Sequence, residues 1–151
     1  MALKEKISED LKAAMKSGEK LRLETLRTMR AALMEKEIEL RGSGKQVTQD
    51  DEIATLMSAS KKRKESIEHF QAAGRMELVE QETAELKIIQ EYLPKQMGEE
   101  AISAVIEEVV KATSASGPAD FGKVMPQVMK ELKGKADGKL IQELVKKRLG
   151  G

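Results

Sequence analysis

The chain has 151 residues, enough for one domain or two small ones, with 35% charged residues and a net charge of +1. It contains no cysteine, which excludes disulfides and thiolate chemistry and points to a reducing compartment. Its only aromatic residues are Phe70, Tyr92 and Phe121, so the core must come from Leu, Ile, Val, Ala and nine Met, a palette that favours packed helices.

Leu3, Ile7, Leu11 and Met15 recur every fourth residue and predict a first helix, stopped at Gly18. A second helix is predicted over about residues 19–41, with Leu23, Leu26, Met29, Leu33 and Leu40 inward. GSGK, residues 42–45, reads as a flexible turn. Thr48, with Asp51 three residues later, reads as the N-cap of a third helix that runs to about residue 73 and ends at Gly74. A fourth covers about residues 76–93, where Pro94 forbids easy continuation.

Pro94 and Gly98 mark a break, and the predicted domains are residues 1–94 and 95–151. Beyond the break, residues 99–112 form a helix carrying Ile102, Val105, Ile106 and Val109. TSASGPAD, residues 113–120, is a loop that ends in an N-cap residue, Asp120. The next helix carries Phe121, Met125, Val128 and Leu132 on one stripe, with Pro126 expected to kink it. Gly134 caps it, and Asp137 starts a last helix with Leu140, Ile141, Leu144 and Val145 inward. No stretch alternates with period two. The fold class is therefore all-α: a larger N-terminal domain of about four helices and a small C-terminal domain of three.

GPADFGKV, residues 117–124, has the Gly and Lys spacing of a P-loop, but Val124 stands where magnesium needs a hydroxyl, and the preceding segment is helical by pattern. A capped helix start accounts for it. His69 is the single histidine, so no His cluster forms, and nothing marks a nucleophile. No catalytic residue, metal ligand or cofactor site is predicted. The basic run KKRK, residues 61–64, spreads around its helix, and its stems can lie along apolar surface.

The C-terminal segment holds the clearest charge signal. Residues 123–148 carry eight basic residues against three acids, a local +5 that leaves −4 on the rest. Lys123 and Lys130 are two helical turns apart on the face opposite Phe121, Val128 and Leu132; Lys139 and Lys146 repeat this on the last helix. Lys133 and Lys135 occupy the turn between. These six lysines are the candidate nucleic-acid contacts: such a surface suits phosphates, which give affinity without sequence readout. Asp137 competes with an anion for the last helix's N–H groups, which leaves phosphate to the ammoniums. The other reading is plainer: Lys146, Lys147 and Arg148 complement a helix dipole. With three aromatics in the chain, stacking on single-stranded bases is not expected.

LRLETLRTMRAALMEKEIE (residues 21–39), KKRKESIEHFQAAGRMELVEQETAELKIIQEYLP (61–94) and DFGKVMPQVMKELKGKADGKLIQELVKKRL (120–149) resemble the YqeY family, in the family's order and over nearly the whole chain. The family is similar to the tail of the GatB subunit of glutamyl/aspartyl-tRNA amidotransferase, especially through residues 122–125 and KGKADGKLIQELV. The resemblance implies an all-helical fold in two parts and a non-catalytic, tRNA-interacting role. It also implies an alternative: an adapter that docks on an aminoacyl-tRNA synthetase or an amidotransferase subunit. A carbon–nitrogen ligase activity with glutamine as amide donor attaches to such relatives by homology, but this chain offers no ATP, metal or thiol site for it. The segment MALKEKISEDLK has no apolar run of a signal peptide, and no run approaches a membrane span, so a cytoplasmic location away from membranes is expected.

Overall fold

A computed structural model describes residues 2–150. Among them lie seven α-helices, one 3-10 turn and no strand, so the protein is all-α. The helices are α1 (Leu3–Ser17), α2 (Lys20–Gly42), α3 (Gln49–Ala72), α4 (Met76–Gln90), α5 (Glu99–Thr113), α6 (Phe121–Leu132) and α7 (Gly138–Arg148), with the 3-10 turn at Pro118–Asp120. The chain divides into two compact units, the first ending at Leu93 and the second beginning at Pro94.

In the first unit, α2 packs against α1, α3 and α4, and α3 packs along α4. Ile7, Leu11, Leu26, Met29, Leu56 and Ile89 are buried together at its centre. The expected stripe of α1 fails at its last member: Met15 is 55% exposed and Ala14 is buried instead. A strict four-residue step overshoots the 3.6-residue turn by about 40° each time, so Ala14 returns to the line of Leu3 and Met15 drifts off it. Gly18 ends α1 at φ 75°, a conformation open to glycine, and its N–H donates to the Ala14 carbonyl.

Thr48 and Asp51 form a capping box at the start of α3: the Thr48 hydroxyl accepts from the Asp51 N–H, and the Asp51 carboxylate accepts from the Thr48 N–H. The N-terminus of α1 has no side-chain cap of its own. Glu52 of α3, buried, supplies one by accepting from the Lys4 N–H at 3.1 Å. Helix α4 stops at Gln90, short of the expected residue 93. Its last turn tightens, with the Tyr92 and Leu93 N–H groups donating three residues back, because Leu93 precedes Pro94 and is barred from a helical backbone.

Tyr92 ties that turn to α1. Its hydroxyl donates to Asp10, and the Arg22 guanidinium reaches both Tyr92 and, at 2.7 Å, Glu91. This bond, with Lys6 and Arg22 nearby, holds the Asp10 carboxyl below the usual range, whereas burial and the Asp10 charge push the Tyr92 phenol well above its ordinary value. A lowered acid stabilises the fold above about pH 4 and loses that contribution as pH falls through its folded pKa; a raised phenol stabilises below about pH 10 and loses it as pH rises. Tyr92→Phe is therefore expected to cost about 1–2 kcal/mol at pH 7. Chemical denaturation of both proteins should show this gap narrowing in acid and above about pH 10.

In the second unit α5, α6 and α7 pack on one another around Ile102, Ile106, Val124, Val128, Ile141 and Val145. Helix α6 runs through Pro126 to Leu132. Asp120 is not the side-chain N-cap of α6. The 3-10 turn already begins the helical path at Pro118, which puts Asp120 in its first turn, and the carboxylate reaches back to the Ser116 N–H at 2.9 Å. That bond, and beyond it the Lys123 charge, holds the Asp120 carboxyl below its ordinary range.

Candidate nucleic-acid interface

Lys123, Lys130, Lys133, Lys135, Lys139 and Lys146 are all exposed and all lie on the α6–turn–α7 hairpin. Two contacts fix how the hairpin is aligned. A Cβ built on Gly138, at the start of α7, would stand 3.7 Å from the Met129 side chain near the end of α6. At the other end, the Lys146 ammonium stands 5.9 Å from the centre of the Phe121 ring. The helices therefore run antiparallel. Lys130 and Lys139 flank the turn that carries Lys133 and Lys135, and Lys123 and Lys146 lie two turns away, about 10 Å along each helix.

The six are not electrically equivalent. Lys123 has a carboxylate neighbour, Asp120, at 3.7 Å. Lys146 faces the Phe121 ring, a weak cation–π contact that orients its stem. Glu143 is exposed and sits four residues after Lys139 and three before Lys146, the acidic member of that outer face. The neighbouring Arg148, though exposed, is engaged: it forms a two-point pair with Glu107 of α5, and that pair lowers the Glu107 carboxyl and raises the Arg148 guanidinium. The basic last turn is thus divided between a helix clamp and the outer face.

Two backbone N–H groups around the hairpin already face carboxylates. The Lys139 N–H, at the N-terminus of α7, faces the Asp137 carboxylate at 3.5 Å, and the Ser116 N–H is taken by Asp120. Ammonium groups are what the surface offers. The segment with P-loop spacing is a helix start that follows α5, not a strand end. Among the described residues no cluster of His, Cys, Asp and Glu is placed to hold a metal ion, and no helix is long and apolar enough to cross a membrane.

The turn itself is held from outside the hairpin. The Gln96 side-chain amide donates to the Gly134 carbonyl at 2.9 Å, and the Met97 N–H donates to the Lys135 carbonyl at 2.9 Å. Sequence patterning does not reveal these bonds, because they join residues 38 apart and Gln96 lies in no periodic stripe. In the first unit, Arg63 of the basic run turns inward to Glu82 at 3.0 Å and Glu85 at 2.7 Å, and its neighbours Lys61, Lys62 and Lys64 stay exposed.

The family profile described as Yqey-like protein matches residues 4–149. The chain belongs to the YqeY family. Among curated proteins, the chain is 33% identical over 149 residues to a protein of Pyrenophora tritici-repentis called altered inheritance of mitochondria protein 41, mitochondrial. That match covers 93% of this chain and 79% of the relative. The protein of the same name from Lachancea thermotolerans is 33% identical over 118 residues, 75% of this chain and 60% of the relative. Every one of the six lysines lies within the part that matches the YqeY profile.

Proposed function

We propose that this YqeY protein is a non-catalytic RNA-binding module that holds tRNA through the phosphate backbone. The observation that carries the reading is the outward display of all six lysines on one helical hairpin, where the Lys139 N–H at the start of α7 already faces the Asp137 carboxylate. A surface of ammonium groups without an aromatic platform engages phosphates and the shape of a folded RNA rather than base identity. Phe121, the second unit's only aromatic residue, already faces Lys146. A cytoplasmic setting belongs to this proposal; the names of the fungal relatives give a mitochondrial one for those proteins.

A second reading has its own observation. Met34 and Ile38, one turn apart on α2, are 45% and 65% exposed and would suit an adapter docking on an aminoacyl-tRNA synthetase or amidotransferase subunit. Titration of the purified chain with total tRNA, against duplex DNA of equal length and over a salt series, separates the two. The proposal expects preference for tRNA and a slope of log K on log salt of about −4 to −5, from six contacts at roughly 0.7–0.9 each. Absence of binding at about 50 mM salt would overturn it and leave the adapter.

A further inference from the structure

Residues 133–137 alternate in exposure: Lys133, Lys135 and Asp137 are exposed, Gly134 and Ala136 are buried. Gly134 holds φ 79°, a left-handed conformation that favours glycine. This turn carries two of the six candidate lysines, and its own backbone bond, from the Lys135 N–H to the Leu132 carbonyl at 2.9 Å, does not engage the Gly134 carbonyl.

Gln96 does. Its Nε2 donates to the Pro94 carbonyl at 2.8 Å and to the Gly134 carbonyl at 2.9 Å. Both acceptors are carbonyl oxygens, so the amide can face them only with its NH2 end, and both of its hydrogens are engaged. The next residue repeats the attachment through its backbone, Met97 N–H to Lys135 O. The Met97 side chain packs against the core of the second unit, which anchors the strap that makes these bonds.

We infer that Gln96 is a positioning residue for RNA binding, which clamps the 133–137 turn so that Lys133 and Lys135 are presented together to neighbouring phosphates. A flexible lysine turn would lose backbone freedom when it met phosphate, and a clamped turn has lost it already, so the clamp raises affinity without touching the RNA. The inference rests on the reading of the hairpin as a phosphate-binding surface.

Gln96→Met keeps the length of the side chain and removes both donors. The probe is total tRNA over a salt series, with amide exchange at Met97 followed in the same samples. We expect affinity to fall about five- to tenfold, the salt slope to shrink in magnitude by about one contact, and the Met97 amide to exchange faster. In a Lys133→Ala/Lys135→Ala background the same change should produce no further loss, because the residues it positions are gone; a general loss of structure would still lower affinity there. Gln96→Asn, one methylene short of the Gly134 carbonyl, replaces the methionine variant if that one does not fold. Should the unaltered chain fail to bind tRNA, the functional reading and this inference fall together. If it binds, and either variant binds with the same affinity and slope, or loses as much in the double-alanine background, only the inference falls.

Discussion

Replacing Lys135 and Lys139 by Glu is expected to weaken tRNA binding about a hundredfold at roughly 0.1 M salt, with the fold intact. Each phosphate contact releases counterions and contributes close to one power of ten at that salt, so two lost contacts account for most of the effect. The two new carboxylates would then repel the phosphates, which takes the loss to at least that size. Both side chains are exposed and neither belongs to the apolar cluster of the second unit, so the thermal midpoint should stay close to that of the unaltered chain. The salt slope should fall in magnitude by about two. An unchanged affinity in a folded double variant would remove Lys135 and Lys139 from the surface.

The largest expected effect on stability lies in the other unit. Arg63 Nη1 serves three carboxylate oxygens: Glu82 Oε1 at 3.2 Å, Glu82 Oε2 at 3.0 Å and Glu85 Oε2 at 2.7 Å. The three side chains retain 24%, 16% and 11% of their exposure, so this is a mostly buried charge cluster joining α3 to α4. No well-angled hydrogen bond reaches Glu85 Oε2, and Arg63 holds it by charge alone. Removing the guanidinium in Arg63→Ala leaves two carboxylates facing each other with little water, which should cost about 3 kcal/mol in denaturant unfolding. A triple variant, Arg63→Met with Leu at both acidic positions, should recover most of that loss, since apolar packing can replace a buried charge cluster. A loss below about 0.5 kcal/mol for Arg63→Ala would mean that water reaches the cluster and screens it.

Local chemistry made much of this fold legible beforehand. Helix periodicity, Gly18, Gly74 and the Thr48–Asp51 box are short-range signals, and each lies where the chain folds as its neighbours dictate. Pro94 is a short-range signal too, but its effect begins three residues before it, in the tightened turn after Gln90. Met15 left its expected stripe, and Asp120, which does stand at the N-cap position of α6, lacks the side-chain bond expected of a cap. A four-residue repeat was carried one step too far in α1, and a 3-10 turn at Pro118 moved the start of the helical path ahead of Asp120.

The candidate surface divides in the same way. Two-turn spacing on α6 and α7 is enough to point Lys123, Lys130, Lys139 and Lys146 outward, because the opposite faces of both helices are apolar. How the turn lysines are held is only partly a local property. Beside the Lys135 N–H to Leu132 carbonyl bond, it depends on Gln96 and Met97, which meet Gly134 and Lys135 only after the second unit has closed. The same holds for Arg63: a basic run spread around its helix names no partner until α4 brings Glu82 and Glu85 against one of its four members.

The central claim is that tRNA meets this protein on the α6–turn–α7 hairpin. Backbone amide shifts of the isotopically labelled chain, followed as total tRNA is added at low salt, test it most directly. The account predicts that the perturbed amides cluster around Lys123, Lys130, Lys133, Lys135, Lys139 and Lys146 and that the changes reverse on raising the salt. Perturbations confined to residues 2–93, with the hairpin amides unmoved, would contradict it.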